Sequence, residues 1–469
     1  MLYNLRRKLI GDRAFYVMVL AVVVPIIVQN AITNFVSLLD NLMVGAIGTE
    51  EMSGVAVANQ LIFVFNLSIF GAVSGAGIFA AQYHGAGNTE GVRACYRYKL
   101  YAALAFAVMA IVLFLCAGPQ LISLYLNDTQ DLERVARTLD FGMQYLRIML
   151  LGLPPFALVQ CYASTLRETG ETRLPMFAGI AAVLVNLRFN YLLIFGKFGF
   201  PHLGVQGAAY ATILSRYVEL VIVAVYTHTH SDRFRFAGGL YRTLRIPRHI
   251  VKEITVKGTP LMINEILWAV AQAVMTAIYS MHGLDVVAAT NISSTITNVF
   301  SVAFLSMGSA AAIIVGQDLG ANRIEMAKDH TVKLQAFSVF ISVCIGAVLF
   351  ALAGAIPRLY NTTASVHSLA SSFMRVFGCF MPFCAFCHCS YFVLRSGGKT
   401  VLTFLFDSGS SWLLCVPVAY ITTHFLGLGV VAVYGSVQMV EVVKSVIAGI
   451  LIQKGIWINN MVADEQMQL

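Results

Sequence analysis

Asn30, Asn34, Ser37 and Asn41 recur at i, i+4, i+7 and i+11, a spacing that stacks them on one face of a helix. Thr33 and Asp40 flank that stripe. A single carboxyl among amides and hydroxyls can bind and release a proton, or supply the charge for a sodium ion whose other ligands are neutral oxygens. Asn186 and Asn190, four apart on one face, and Thr212 offer further oxygens, so Asp40, Asn34, Asn186, Asn190 and Thr212 form the candidate cation-coupling set, with sodium possible at Asp40, Asn186 and Asn190. A second polar and aromatic face runs through Glu265, Gln272, Thr276 and Tyr279, with Trp268 one turn after Glu265. Glu265, Gln272, Tyr279 and Asn298 are candidates for a substrate site or a second ion site. No Ser/His/Asp set, metal-binding His motif or pair of catalytic carboxylates at a defined spacing is visible, so no enzyme and no cofactor beyond the coupling ion is expected.

The elements that must hold these residues are membrane helices. Hydrophobic residues make up 58% and charged residues 12% of 469, against about 25% charged in soluble domains. A spanning helix needs roughly 20 apolar residues. Twelve such runs are read, at 14–44, 52–80, 96–118, 137–165, 172–196, 204–228, 253–281, 286–315, 333–356, 367–394, 400–424 and 427–453. The first is too long for a cleavable signal core and leads into the repeated unit described next, so it is expected to stay in the protein. An acid at the centre of such a helix costs roughly 2.5–3.5 kcal/mol on insertion scales and is by default a functional-site hypothesis. Asp40 lies in the outer part of its span, where plain interfacial solvation is the other explanation. Arg188 falls about 200° around the helix from each flanking amide; it either snorkels or packs away from them, or reaches Asp40.

The chain is a duplication. Pro25 and Pro260, Gly48 and Gly283, Gln82 and Gln317, and Gly85-Ala86 and Gly320-Ala321 each lie 235 positions apart. Tyr145-Leu146-Arg147 and Pro154 match Phe373-Met374-Arg375 and Pro382 at 228, as do Leu166-Arg167-x-x-Gly170-x-Thr172 and Leu394-Arg395-x-x-Gly398-x-Thr400. The fold expected is an all-α polytopic membrane protein of two pseudo-symmetric six-helix lobes, 1–228 and 253–469, joined by a linker at 229–252. Pro25 and Pro260 are candidate hinges, because proline removes a helix hydrogen bond and bends the chain. A static kink used for packing is the other reading.

Arg6, Arg7, Lys8 and Arg13, then Arg93, Arg97 and Lys99, then Arg167 and Arg173 gather in alternate connections, which places both termini in the cytoplasm. The linker is basic too, with Arg233, Arg235, Arg242, Arg245 and Arg248. Most of the net charge of +8 is read as topology signal and attraction to anionic lipid headgroups, not as a nucleic-acid surface. A location in the cell inner (plasma) membrane and a monomer working on a small organic substrate are expected.

Nine cysteines scatter through the spans, which argues for buried thiols rather than a disulfide framework. Cys384-Ala385-Phe386-Cys387-His388 spells a haem-attachment motif, but it lies inside an apolar run after Pro382 and is read as helix packing. Arg147 and Arg375 occupy equivalent repeat positions and are read as packing or anchoring residues. Glu219 with Arg216, and Glu441 with Lys444, have salt-bridge spacing. Asp407 has no evident partner. The glycines of 71–77 and 427–435 lack a following Lys-Ser/Thr, so they read as close helix approaches and no ATPase module is expected.

Leu39-Asp40-Asn41-Leu42-Met43-Val44-Gly45, Ala81-Gln82-x-x-Gly85-Ala86-Gly87, Leu166-Arg167-x-x-Gly170-x-Thr172, Asn186-x-x-x-Asn190-Tyr191, Ile194-Phe195-Gly196 and Gly207-Ala208-Ala209-x-Ala211-Thr212, in that order, resemble the multidrug and toxic compound extrusion (MATE) family over nearly the whole chain. The resemblance implies two six-helix bundles forming a V-shaped cleft, and efflux of organic, often cationic compounds in exchange for protons or sodium ions. Some members carry an Asp where this chain has Asn190, which leaves Asp40 the one acid of the first-half cluster. Glu265 is similar to the family's seventh-span Glu, which in some members forms a sodium site with a Tyr and an Asp of the tenth span. The aligned positions here are Phe380 and Cys384, which weakens sodium in the second half and leaves Glu265 as a drug or proton site or a residue bonded between helices. A proton is favoured over sodium as coupling ion, because one isolated acid suffices for it. A lipid-linked oligosaccharide or polysaccharide flippase of the same wider superfamily is the alternative function, disfavoured because such proteins need a strongly cationic lumen.

Overall fold

The computed structural model describes residues 9–126, 132–360 and 362–463. Arg6, Arg7, Lys8 and the side chains of Ser37 and Asn41 lie outside the described residues. Twelve segments among the described residues are helical, long and apolar enough to cross a bilayer. The expected all-helical, multi-pass architecture is what forms, and no strand occurs among the described residues.

The first six spans are Arg13–Gly45, Thr49–Gly85, Thr89–Ser123, a broken fourth, Arg173–Phe195 and Val205–Thr229. The next six are Arg248–Ser280, Leu284–Gly320, Ile324–Leu352, Ala364–Ser396, a distorted eleventh and Val430–Gln453. Large apolar side chains such as Leu115, Phe340 and Leu413 are exposed on the helix surfaces, as lipid-facing side chains should be. Small residues fill the interior, where Ala58, Ala103, Ala157, Ala211, Ala310 and Ala385 are buried and let helices approach closely.

Two spans depart from a single regular helix. The fourth runs as Leu132–Met149, a 3₁₀ turn at Leu150–Gly152, and Leu153–Glu168, with Pro154 and Pro155 opening the second helix where a missing N–H costs nothing. The eleventh begins at Thr400 and passes through two π-helical stretches, Leu405–Gly409 and Ser411–Cys415, before Val416–His424. Neither break is visible as an interruption of hydropathy.

The chain groups into two compact units: one of Met1–Ile27, Ala81–Asn88 and Thr255–Leu469, the other of Val28–Ala80 and Thr89–Ile254. In the first unit the repeated Gln-x-x-Gly motifs interlock. A Cβ on Gly85 would lie 2.0 Å from the carbonyl oxygen of Gln317, and one on Gly320 would lie 1.9 Å from that of Gln82, so only glycine fits at either place. Gln82 is buried and donates to the carbonyls of Ser396 at 2.9 Å and Asn459 at 3.1 Å. The second repeated motif is also explained by backbone. Gly170 and Gly398 both adopt left-handed φ, +86° and +72°, in the turns that precede the fifth and eleventh spans.

In the second unit, the segment after the sixth span is packed down, not loose. Phe234, Phe236 and Leu240 are buried. Arg93 donates to the carbonyls of Arg235 and Phe236, Arg97 to that of Leu240, and Tyr241 joins its hydroxyl to those of Tyr96 and Tyr162 at 3.0 and 2.6 Å.

Candidate functional site

The fifth span sets out a buried stripe at i+4 spacing: Ala178, Ala182, Asn186, Asn190 and Ile194. Two amides therefore sit side by side on the face that packs inward. The first span brings Asp40 to them. Asn190 Nδ2 donates to Asp40 Oδ1 at 2.5 Å, across 150 positions of sequence. The sixth span supplies Thr212, whose hydroxyl lies 3.2 Å from the end of the Asn186 amide.

Asn186 bridges Asp40 and Thr212, and its amide has two useful orientations. With its nitrogen toward Asp40 it donates to Oδ1 at 2.9 Å and Oδ2 at 3.3 Å while its oxygen accepts from Thr212 at 3.2 Å. Turned over, the nitrogen donates to Thr212 and the oxygen accepts from Asn190 at 3.2 Å. An ionised carboxylate accepts only, so it pairs with the first orientation; a protonated one has an O–H to give and suits the second. One proton can thus reverse the direction of hydrogen bonds across three helices.

Four of the five predicted coupling residues converge here. Asn34 is exposed, about 1.7 turns of helix from Asp40, and forms no hydrogen bond with the cluster. Arg188 is also exposed while both neighbouring amides are buried, so it points away from Asp40. Sequence reasoning passed over Tyr145, which is buried beside the cluster with its hydroxyl directed to Thr212 and Asn59. It had served only as a marker of the repeat.

This geometry sits inside a matched pattern. The family model described as MatE matches residues 25–192 and 260–421, two stretches that begin at the duplicated prolines. The chain belongs to the MatE family. Members of that family are membrane transporters and not enzymes. "Probable multidrug resistance protein NorM" of Thermotoga maritima is 26% identical over 413 residues, covering 87% of this chain and 86% of its own. "Probable multidrug resistance protein YoeA" of Bacillus subtilis is 24% identical over 422 residues, with 88% of each chain covered. Among solved structures, a MATE protein in complex with MaL6 superposes with a TM-score of 0.82 at 20% identity over 96% of this chain and 98% of that one. A MOP superfamily transporter from Pyrococcus furiosus gives 0.84 at 19% over 96% and 97%. At such identities the likeness is one of fold.

The second half of this MatE chain places its candidates apart. Glu265 is half-buried and makes no hydrogen bond or ion pair with the described residues. Gln272 and Asn298 are exposed, and Tyr279 is buried in an apolar cluster with its ring 5.8 Å from that of Tyr434. Phe380 packs on Phe383 at 6.2 Å, and neither it nor Cys384 offers an oxygen beside Glu265. The residue that is engaged is the neighbour, Asn264. It is buried, donates from Nδ2 to Asp407 Oδ2 at 2.9 Å, and accepts at Oδ1 from the backbone N–H of Ser408 at 3.2 Å and from its hydroxyl at 2.7 Å. Asp407, without an evident partner in the sequence, has one in the fold.

The remaining charges fall mostly as anchors. Lys444 and Glu441 pair at 2.9 Å as their spacing predicts. Arg216 and Glu219 form no ion pair; the Arg216 guanidinium lies over the ring of Phe156 at 4.4 Å. Arg147 and Arg375 are exposed rather than buried, which fits interface anchoring. Cys387 bonds the twelfth span through Ser445 at 3.3 Å, and the His388 ring packs on Phe392 at 5.0 Å.

Proposed function

We propose that the chain is a secondary active antiporter that exports organic, cationic and amphipathic compounds in exchange for protons. The observation that carries this reading is the contact of Asp40 with the buried amides of Asn190 and Asn186, a carboxyl whose charge is read by the fifth span and, through Asn186, by Thr212 of the sixth. Asp40 takes the proton, the amides and Thr212 register its state, and export follows by alternating access between lobes at 1–228 and 253–469 joined through 229–252. The drug-resistance names of the relatives support drug efflux as the transport. On this reading the protein works as a monomer in the cell inner (plasma) membrane, with both termini in the cytoplasm.

One observation favours sodium as the second reading. Asn190 Oδ1 is buried and has no hydrogen-bond partner among the described residues. Together with Asp40, Asn186 and Thr212 it offers the several oxygens a sodium ion needs. A single acid suffices for a proton, however, and Asn190 stands where a second carboxylate would add charge for a metal ion. Efflux of a cationic dye from proteoliposomes distinguishes the two. A pH gradient in sodium-free buffer is expected to drive it; dependence on sodium at every pH, with no proton flux, would overturn the proton assignment.

A further inference from the structure

The duplication allows the two halves to be compared residue by residue. With the 235 spacing of Pro25 and Pro260, Gln29 corresponds to Asn264; with the 228 spacing of Thr172 and Thr400, Gly179 corresponds to Asp407. The two pairs meet in the same way. In the first half a Cβ on Gly179 would lie 3.4 Å from Nε2 of Gln29. In the second half the equivalent positions are joined by the 2.9 Å hydrogen bond from Asn264 to Asp407. Conversely, Asp40, Asn186 and Asn190 correspond to Met275, Leu414 and Val418, which cannot bind a proton or a cation. Each half therefore keeps one carboxyl–amide pair across its first and fifth helices, but at levels 11 residues apart, about 16 Å along a helix.

Three features mark the second pair as more than packing. Asp407 lies within the first π-helical stretch and the second follows after Ser410; such bulges occur frequently at functional positions. The hydroxyls of Ser410 and Ser411 take up carbonyls of the irregular backbone, from Phe406 at 2.6 Å and Asp407 at 3.0 Å. Asp407 also has no ion-pair partner within the described residues. The nearby cation, Lys444, is engaged by Glu441 at 2.9 Å. The other titratable groups facing Asp407 are Glu265 of the seventh span, Tyr391 of the tenth, Glu441 of the twelfth and Cys415 of its own span, and Arg395 faces Glu265 and Tyr391.

We propose that Asp407 is a second proton-binding carboxyl, held by Asn264, which Ser408 fixes in place, and that its protonation state sets how firmly the seventh span grips the eleventh. As carboxylate, Asp407 accepts a charge-assisted bond from Asn264. A proton added to either oxygen neutralises the group, turns one acceptor into a donor and weakens that grip, while Ser408 keeps Asn264 in place through its oxygen. The role in transport rests on the antiport reading. The proton binding does not.

The test uses the full-length protein with ¹³C-labelled aspartate, followed by difference infrared spectroscopy across about pH 5 to 9, the range in which buried carboxyls titrate. Two aspartate carboxyl transitions are expected, one removed by Asp40→Asn and the other by Asp407→Asn. The double variant Asn264→Gln with Asp407→Gly rebuilds the Gln29/Gly179 pair, so it is expected to fold and to bind dye, while lacking the second transition. In proteoliposomes, protons moved per dye should fall by about half on Asp407→Asn, as when one of two linked sites is removed. A wild-type spectrum with no transition assignable to Asp407, or one unchanged in both Asp407 variants, overturns the proposal. If no ion gradient drives dye in the wild type, the antiport reading fails while the infrared titration still decides Asp407.

Discussion

Among the described residues Asp40 is held by donors, not by a cation: Asn190 at 2.5 Å and, with its amide nitrogen turned toward the carboxyl, Asn186 at 2.9 Å. An amide in its place keeps the volume and some hydrogen bonding but cannot change charge, so Asp40→Asn separates folding from coupling. Gradient-driven efflux by this variant should drop by about tenfold or more, a typical coupling free energy, while the yield of folded protein in the membrane is unchanged. Near-normal transport by the variant would sink the assignment. This cluster was legible in the sequence because its parts share a face: Asn186 and Asn190 are four apart, and Asp40 adjoins a polar stripe. Asn264 was not, since the eye follows the acid at Glu265, and one residue along a helix turns the side chain by about 100°. The buried side of the seventh span runs through Asn264, Ala271, Met275 and Ile278, off the Glu265 stripe.

At the level of elements, all twelve spans could be read from apolar runs, because length and hydropathy are what a bilayer selects. The break at Leu150–Gly152 and the π-helical stretches of the eleventh span could not. Both keep an apolar composition and differ only in which carbonyl each N–H meets. The prolines are legible in position but not in consequence. Pro25 lies two residues before the first span passes from one compact unit to the other, between Ile27 and Val28, and Pro260 lies five residues after the seventh span does the same, between Ile254 and Thr255. A hinge is useful where a helix is shared, so Pro25→Ala and Pro260→Ala should each slow efflux by about two- to thirtyfold, the span of 0.5–2 kcal/mol in coupling. Dye efflux rates at matched expression check this. Wild-type rates in either variant would remove the hinge at that proline.

The whole molecule carries its orientation in its charges. Counting spans from the first, the connections at 86–88, 169–172 and 230–247 share a side, and so do those at 321–323 and 397–399. The side receives Arg93, Arg97, Arg173 and Arg233 from the first half and Arg323, Lys328 and Lys399 from the second, so the positive-inside rule assigns both halves alike although the sequence reading drew only on the first. Part of this charge is also structural, since Arg93 and Arg97 cap carbonyls of the segment after the sixth span and Arg233 pairs with Glu171. A charge spent on such a bond still weighs on insertion, because insertion precedes the packing that makes the bond. Single cysteines report the outcome. In a background with the exposed Cys116, Cys344 and Cys379 changed to Ser, Arg242→Cys should react with a membrane-impermeant maleimide only in inverted vesicles. Phe198→Cys in the connection after the fifth span and Leu284→Cys at the start of the eighth, both highly exposed and on the opposite side, should react only from the outside of intact cells. Labelling of Arg242→Cys from outside would invert the topology, and with it the direction in which Asp40 meets the driving gradient.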